Sequence, residues 1–201
     1  MDRVQQEKDY WDSAALDPDV DQKYISDIST EECIKALELP EDPFYFLDLG
    51  CGVGRLSFEV AQKENVFGHG IDISLEMIEI ARSRFSDRDN MPKNWVNYQV
   101  NDGRTLPFAN PELFDFVYSV LLFQHLEGTT ILGYMQETYR VLKPGGIFRF
   151  QYIPGTENEP FSKHYDTRQM RKWLQVAGLK FVKEDRALCH PLWSWITAKK
   201  P

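Results

Sequence analysis

The sequence predicts an α/β fold with a doubly wound, mostly parallel sheet. Short apolar runs alternate with segments of helical periodicity, which is the pattern of consecutive βαβ units. Three glycines between residues 50 and 54 connect the first of these runs to a helical segment, as in sheets that bind a ligand at a strand end. The length of 201 residues, with 42% hydrophobic and 27% charged residues, suits one domain with a full core.

The first forty residues predict a helical extension that precedes the sheet. Residues 3–13 and 29–39 carry helical patterns, with a break around residues 17–19 between them. The acidic pair at 31–32 suits the positive end of the second helix, and Pro40 closes that helix.

The core of the domain, residues 44–153, predicts five parallel strands with helices between them. The predicted strands are residues 44–48, 66–71, 95–100, 114–119 and 147–153. The predicted helices are residues 55–63, 74–90 and 130–142, and Lys-Pro-Gly-Gly at 143–146 predicts a turn before the fifth strand.

The remainder, residues 154–201, predicts a polar loop, a helix at 167–177 and two further strands at 179–185 and 192–198. About six residues separate these strands, whereas a parallel crossover needs a dozen or more. We therefore expect an antiparallel hairpin at the end of a single domain that spans 1–201.

Charge and composition exclude several classes of function. Lys and Arg total 23 against 31 Asp and Glu, so the net charge is −8, and nucleic acid is an unfavourable partner. No apolar stretch approaches the roughly 18 residues of a membrane span. Three cysteines without metal-ligand spacing favour reduced thiols and a cytoplasmic location, and the histidines at 69, 164 and 190 are too scattered for a metal site.

The glycine segment and the aspartate before it indicate what the sheet binds. Gly50, Gly52 and Gly54 let a ligand lie against bare backbone. The dinucleotide fingerprint Gly-x-Gly-x-x-Gly would need a glycine at position 55, which is Arg55, so the third glycine falls one residue early. Asp48 would place a negative charge beside a diphosphate and would attract a ligand that carries an ammonium and a sulfonium.

Two more strand ends carry acidic residues. Asp72 closes the second strand about twenty residues after the glycines, where a carboxylate can accept both hydroxyls of a ribose; the alternative is a helix-capping aspartate. Asp102 and Gly103 follow the third strand, where they could meet an adenine; the alternative is a plain Asp-Gly turn. In an open α/β sheet all these ends face one crevice.

Four segments together resemble the class I S-adenosylmethionine-dependent methyltransferases: LDLGCGVG at 47–54, GIDIS at 70–74, FDFVYS at 114–119 and RVLKPGG at 140–146. The resemblance runs from about residue 44 to 153. It implies a seven-stranded sheet of order 3-2-1-4-5-7-6 with strand 7 antiparallel, S-adenosylmethionine as cofactor and S-adenosylhomocysteine as its product.

The resemblance also implies roles for single residues. Those expected to hold the cofactor are Asp48, Gly50, Cys51, Gly52 and Gly54 at the methionine end, Asp72 at the ribose, Ile73, Met77, Asp102 and Gly103 at the adenine, and Ser119 at the end of strand four. Residues 120–126 correspond to the segment that contacts substrate in the family.

Candidate substrate contacts follow from the expected position of the crevice. His125 is a candidate general base, with backbone hydrogen bonding as the alternative, and Gln124 is its neighbour. Tyr10 and Trp11 on the first helix are expected to cover the cofactor or simply to pack on the sheet. Tyr165 lies on a polar loop that is long enough to select substrates.

Apolar and polar residues alternate along predicted strand five, whereas a buried parallel strand is normally apolar throughout. Arg149 and Gln151 therefore need polar partners. An internal carboxylate is the favoured partner of Arg149, with a substrate carboxylate as the alternative, and Gln151 is the better candidate for a substrate contact.

These patterns predict methyl transfer to O, N or C of a small-molecule acceptor. Two alternatives stay open: a module that binds the cofactor without turnover, and an enzyme that transfers another group from a related sulfonium donor. The sequence does not define the acceptor or the oligomeric state.

Overall fold

The computed structural model describes residues 3–17, 29–41, 43–86, 93–156 and 162–201. The break predicted at 17–19, the helix end predicted near residue 90 and the middle of the loop after strand five lie wholly or partly outside these ranges. The strands are β1 (Phe44–Leu49), β2 (Val66–Asp72), β3 (Val96–Val100), β4 (Phe114–Ser119), β5 (Leu142–Pro154), β6 (His164–Tyr165), β7 (Lys180–Arg186) and β8 (Ser194–Lys199).

Some of the described helices begin at a capping side chain. They are α1 (Arg3–Ala15), α2 (Thr30–Leu37), α3 (Arg55–Val60), α4 (Leu75–Ser86), α5 (Gly128–Val141) and α6 (Thr167–Val176), with a 3-10 turn at Phe123–His125. The Ser29 hydroxyl accepts a hydrogen bond from the Glu32 amide at 3.3 Å, and the Ser74 hydroxyl accepts one from the Met77 amide at 3.2 Å. None of these helices is both long and apolar enough to span a membrane.

The sheet has the order β3-β2-β1-β4-β5-β8-β7, and β8 runs antiparallel to both of its neighbours. Apart from the two-residue strand β6, this is the predicted order, so the predicted fold class is confirmed. The predicted C-terminal hairpin is confirmed as well, because β7 and β8 pair along their lengths.

Helices cover both faces of the sheet. Side chains of α5 and α6 pack with Phe148 and Phe150 in one apolar cluster. Side chains of α2, α3 and α4 pack with Phe46 and Tyr118 in another. The arrangement leaves the carboxyl ends of β1, β2, β3 and β4 together at one edge, where ligands bind in doubly wound sheets.

Two segments differ from the prediction. Residues 143–146 do not form a separate turn, because β5 begins at Leu142 directly after α5. The Gly145 amide donates to the Lys200 carbonyl at 3.0 Å. The hydrogen bonds between β5 and β8 thus continue into residues 143–146, which the sequence predicted as a turn. Ile153 and Pro154 pair with β6, a short parallel strand that was predicted as loop.

Arg149 has the internal partner that the sequence favoured. Its side chain is 1% exposed, and Nη1 donates to Asp185 Oδ2 and to Thr197 Oγ1, both at 2.7 Å. Nε donates to the Ala36 carbonyl at 2.9 Å, and the guanidinium lies 5.5 Å from the ring centre of Trp195. Arg149 therefore ties β5, β7, β8 and α2 together, away from the ligand edge of the sheet.

Close packing of β2 against β3 gives a first stability prediction. A Cβ at Gly70 would lie 2.5 Å from the Tyr98 ring, so we expect Gly70→Ala to destabilise the protein by about 1–3 kcal/mol. Gly133 in α5 has no heavy atom within 4 Å of its Cβ position, and Gly133→Ala is expected to stabilise by up to about 1 kcal/mol. Urea unfolding of the two variants measures this difference, and equal effects would contradict it.

Candidate active site

The glycine segment after β1 forms the floor of the site. Gly50, Gly52 and Gly54 have φ angles of +77°, +51° and +74°, which are strained for any residue with a side chain. The amides of Gly50 and Cys51 both donate to the Ile71 carbonyl, at 2.9 and 2.8 Å, and this fixes the segment on the end of β2. Space around the Cβ position of Gly52 is open. A ligand can therefore approach this backbone closely.

Asp72 at the end of β2 is held in a fixed orientation. Its Oδ2 accepts a hydrogen bond from the Gly52 amide at 2.9 Å, and its Oδ1 accepts one from the Ser74 amide at 3.0 Å. Burial raises the pKa of this carboxyl, while the amide hydrogen bonds act in the opposite direction. Each oxygen retains acceptor capacity for a ligand.

Asp48 is the most buried carboxylate of the site, at 2% exposure. The Tyr118 hydroxyl donates to Asp48 Oδ2 at 3.1 Å. Burial raises the pKa of Asp48 to about 7; the hydrogen bond from Tyr118 opposes that rise, and nearby Asp72 adds to it. A cationic ligand beside Asp48 would supply the missing counter-charge.

One face of α1 covers the site. Arg3, Glu7, Tyr10 and Trp11 follow helical spacing and all line the cavity. The Trp11 ring meets the ring of His125 edge-on, with centroids 5.1 Å apart, and Tyr10 packs against Trp11 at 5.0 Å. Burial raises the pKa of Glu7, while the charge of Arg3 and a hydrogen bond donated by the Trp11 side chain oppose that rise.

Hydrogen bonds of the Gln151 side chain hold the segment between β4 and α5 in place. Leu121 has a φ of +63°, and its amide donates to Gln151 Oε1 at 2.9 Å. Gln151 Nε2 donates to Gln124 Oε1 at 3.3 Å. Leu122 packs on Gly50, where an added Cβ would lie 2.9 Å from its methyl groups. Gln151 thus orients the segment that carries Gln124 and His125.

These elements enclose a cavity of about 860 Å³, large enough for a cofactor together with a small second ligand. Twelve of the site residues predicted from the sequence line it: Asp48, Gly50, Cys51, Gly52, Asp72, Ile73, Met77, Gly103, Tyr10, Trp11, Gln124 and His125. In the described part of the chain, no group of three or more metal-binding side chains is assembled.

Five predicted residues lie outside the cavity lining. Gly54 begins α3, and the Ser119 hydroxyl donates to the Leu49 carbonyl at 2.9 Å. Asp102 is exposed, and its carboxylate accepts hydrogen bonds from the amides of Arg104 and Thr105. The other two residues lie behind those that line the cavity. Gln151 is fully buried, and the Tyr165 hydroxyl donates to the Leu126 carbonyl at 2.6 Å.

Several lining residues were not identified from the sequence. Glu7 is one of them, although its spacing of four residues from both Arg3 and Trp11 was a readable signal. Asn101, Tyr134 and Ser162 gave no local signal, because their places in the wall depend on long-range packing. The Asn101 side-chain amide donates to the Tyr134 hydroxyl at 2.9 Å at the end of β3.

Comparison with known proteins identifies relatives in sequence. Residues 46–146, half of the chain, match the family described as "Methyltransferase domain". Phosphoethanolamine N-methyltransferase 1 of Triticum aestivum is 31% identical over 170 residues, which cover 79% of this chain and 32% of that protein. Ajmaline N-methyltransferase of Rauvolfia serpentina is 30% identical over 149 residues, which cover 71% of this chain and 50% of that protein. The chain thus spans about a third of the length of the first curated relative and half of the second.

Solved structures share the architecture. The crystal structure of magnesium protoporphyrin IX methyltransferase (ChlM) from Synechocystis PCC 6803 with bound SAM aligns with a TM-score of 0.76, over 100% of this chain and 98% of that chain. The two sequences are 16% identical, so this likeness concerns the fold alone. The family match and the sheet order confirm the resemblance read from the sequence: the chain belongs to the class I S-adenosylmethionine-dependent methyltransferases.

Proposed function

We propose that the protein binds S-adenosylmethionine at the carboxyl edge of its sheet and transfers the methyl group to a small-molecule acceptor. One observation carries the proposal: a buried carboxylate, Asp48, and a half-buried one, Asp72, flank an open glycine backbone at adjacent strand ends. This arrangement suits a cationic ligand that also carries a ribose, and it opposes a diphosphate.

The residues present fit that cofactor. Asp48 would face the ammonium of the methionine end, and the amides and open backbone of residues 50–52 would lie along it. Asp72 would accept the ribose hydroxyls through the acceptor capacity that Gly52 and Ser74 leave free. Ile73 and Met77 would pack against the adenine. When bound, the cofactor supplies an electrophilic methyl group on a sulfonium.

The remaining residues would bind the acceptor and exclude water. Trp11 and Tyr10 cover the cavity from α1, and Leu122 fixes its floor against Gly50. Methyl transfer needs an acceptor atom held in line with the methyl group, so positioning is the main contribution of these side chains. His125, beside Trp11, would take the proton from an acceptor that must lose one.

The negative net charge and the enclosed cavity favour a small molecule over nucleic acid as the partner. The relatives named above act on phosphoethanolamine and ajmaline, so their acceptors do not define one chemical class. The acceptor of this chain is therefore inferred from its own cavity.

Calorimetry with S-adenosylhomocysteine tests cofactor binding. We expect binding near the micromolar range, and no heat at millimolar ligand would refute the proposal. Release of S-adenosylhomocysteine from S-adenosylmethionine in the presence of an acceptor then separates an enzyme from a binding module. Mass spectrometry of the product identifies the transferred group as methyl, aminopropyl or carboxymethyl.

His125→Ala tests the proposed base. We expect kcat to fall about 100-fold with an acceptor that must lose a proton, since general base catalysis contributes about 10²–10⁴-fold. The affinity for S-adenosylhomocysteine should stay unchanged, because the other end of the cavity holds the cofactor. Unchanged turnover in the variant would leave His125 with a purely structural role.

A further inference from the structure

The charges at the acceptor end of the cavity are balanced. We define this end as the part lined by α1, residues 121–127 and Ser162. Glu127 forms ion pairs with both Arg3 and Lys163, so its carboxylate offsets one of the two positive charges that would otherwise attract an anion. The Lys163 ammonium lowers the pKa of Glu127, which keeps this carboxylate ionised. Glu7 lies 3.9 Å from Arg3 and adds a second negative charge. An anionic acceptor would find no net attraction here.

The walls of the acceptor end are mainly aromatic and aliphatic. Trp11 and Tyr10 present rings from α1, and His125 meets Trp11 edge-on from the opposite side. Leu122 and Leu126 complete the lining between them. Flat apolar surfaces of this kind stabilise a flat apolar ligand through contact area and ring stacking.

Within the described residues, the Ser162 hydroxyl of this wall has no hydrogen-bond partner. Ser162 Oγ is buried and makes no hydrogen bond within the described part of the chain, although Ser162 lines the cavity. Its position is fixed, because the amide of Lys163 donates to the Gln124 carbonyl at 2.7 Å. Buried hydroxyls in folded proteins are normally satisfied, so a ligand group is the natural partner of this one.

From these features we infer that the acceptor is an uncharged aromatic molecule with a polar substituent that binds the Ser162 hydroxyl, and that Glu127, together with Glu7, excludes anionic acceptors by balancing the charges of Arg3 and Lys163. The inference rests on the proposed methyl transfer and adds its substrate class. The acceptor heteroatom forms a bond to the methyl carbon, the carbon–sulfur bond breaks with its electron pair going to sulfur, and the acceptor proton passes to His125 and then to water.

Three matched phenols test the substrate class: 4-hydroxybenzyl alcohol, 4-methylphenol and 4-hydroxybenzoate. They share the ring and the phenolic oxygen but differ in the opposite substituent. With saturating S-adenosylmethionine, we expect kcat/KM to be at least about tenfold higher for the alcohol than for the carboxylate, measured as S-adenosylhomocysteine release. Equal or reversed preference would overturn the inference.

Ser162→Ala isolates the hydroxyl. It should raise KM for 4-hydroxybenzyl alcohol about tenfold while leaving 4-methylphenol, which lacks the second hydroxyl, unaffected. Ser162→Thr keeps the hydroxyl and should retain most of the affinity for the alcohol. If Ser162→Ala changes both phenols equally, Ser162 acts on the shape of the wall and the assigned contact is wrong.

Glu127→Gln isolates the charge. It removes the carboxylate that pairs with Lys163 and leaves Arg3 with Glu7 alone, so this end gains one net positive charge, and kcat/KM for 4-hydroxybenzoate should rise about tenfold while S-adenosylhomocysteine binds as before. No gain for the carboxylate would overturn the role of Glu127. A protein that binds S-adenosylhomocysteine but methylates none of the three phenols refutes the substrate class alone. Failure to bind S-adenosylhomocysteine refutes the proposed function itself.

Discussion

Asp48→Asn is expected to weaken binding of S-adenosylhomocysteine by about 10- to 100-fold at pH 8, because it removes the buried charge that would face the ligand ammonium in the proposed complex. Asparagine keeps the size of the side chain, and it can still accept the hydrogen bond from Tyr118. Calorimetry at fixed ionic strength measures the change. Asp9→Asn, at an exposed carboxylate on α1 outside the cavity lining, is the matched control and should bind like the wild type.

The same variant should remove a pH dependence. Since the pKa of Asp48 is raised to about 7, the wild-type protein must release a proton to bind a cation below that pH. Affinity should therefore be about tenfold weaker at pH 6 than at pH 8, and the variant should lose this difference. A wild type whose affinity stays constant between pH 6 and pH 8 would contradict the assignment.

Stability without ligand should change in the opposite direction. A buried carboxyl with a raised pKa keeps a proton that the unfolded chain has already released, so its contribution to stability falls as pH rises from about 4 to about 7. Asp48→Asn carries no such charge. The free variant should therefore unfold at a higher urea concentration than the wild type at pH 8, and the gap should narrow at pH 5.

Arg149→Ala should have the largest effect on stability, with a loss of about 3 kcal/mol. The substitution removes hydrogen bonds to Asp185, Thr197 and the Ala36 carbonyl and opens a cavity beneath Trp195. The Asp185 side chain is 28% exposed, and its carboxylate keeps the Lys183 ammonium at 3.2 Å as a partner. The loss of stability should therefore be smaller than the loss on breaking a fully buried ion pair. Urea unfolding measures the loss.

Two controls separate charge from volume at this position. Arg149→Met fills most of the space and should cost less than half as much as the alanine variant, because well-packed apolar groups often replace buried ion pairs with little loss. Asp185→Asn removes only the charge of the partner and leaves the buried guanidinium with Glu38 at 4.0 Å, so it should cost about 2 kcal/mol. A methionine variant as unstable as the alanine variant would place the whole effect in the lost polar contacts.

The sequence predicted the elements whose local pattern and burial agree. Strand β4 was predicted with its observed bounds, since an apolar run bounded by turn residues has little alternative in the middle of a parallel sheet. The prediction failed at residues 143–146, where local turn chemistry was overridden by pairing with the end of β8. Strand β6 was missed because two residues carry no periodicity and their pairing depends on the position of β5.

The difference between local and long-range signals also explains which residues of the site could be predicted. Asp48, Asp72 and the glycines could be predicted, because their place at strand ends follows from topology alone. Ser162 and Glu127 could not, since they come to the same part of the cavity only through the contacts of Lys163 with Gln124 and Glu127, which are distant in sequence. Gln151 was correctly identified as a polar side chain that needs partners, but its partners are Leu121 and Gln124.

The face of α1 that covers the cavity determines how the substrate range of this protein can be altered. Its cavity residues come from the first eleven positions of the chain, whereas the strand ends that carry Asp48 and Asp72 belong to the core. Substitutions on this short helix can therefore change which acceptor molecules bind, with little effect on the stability of the sheet. An engineer who seeks new chemistry from this scaffold should therefore randomise the amino-terminal helix first.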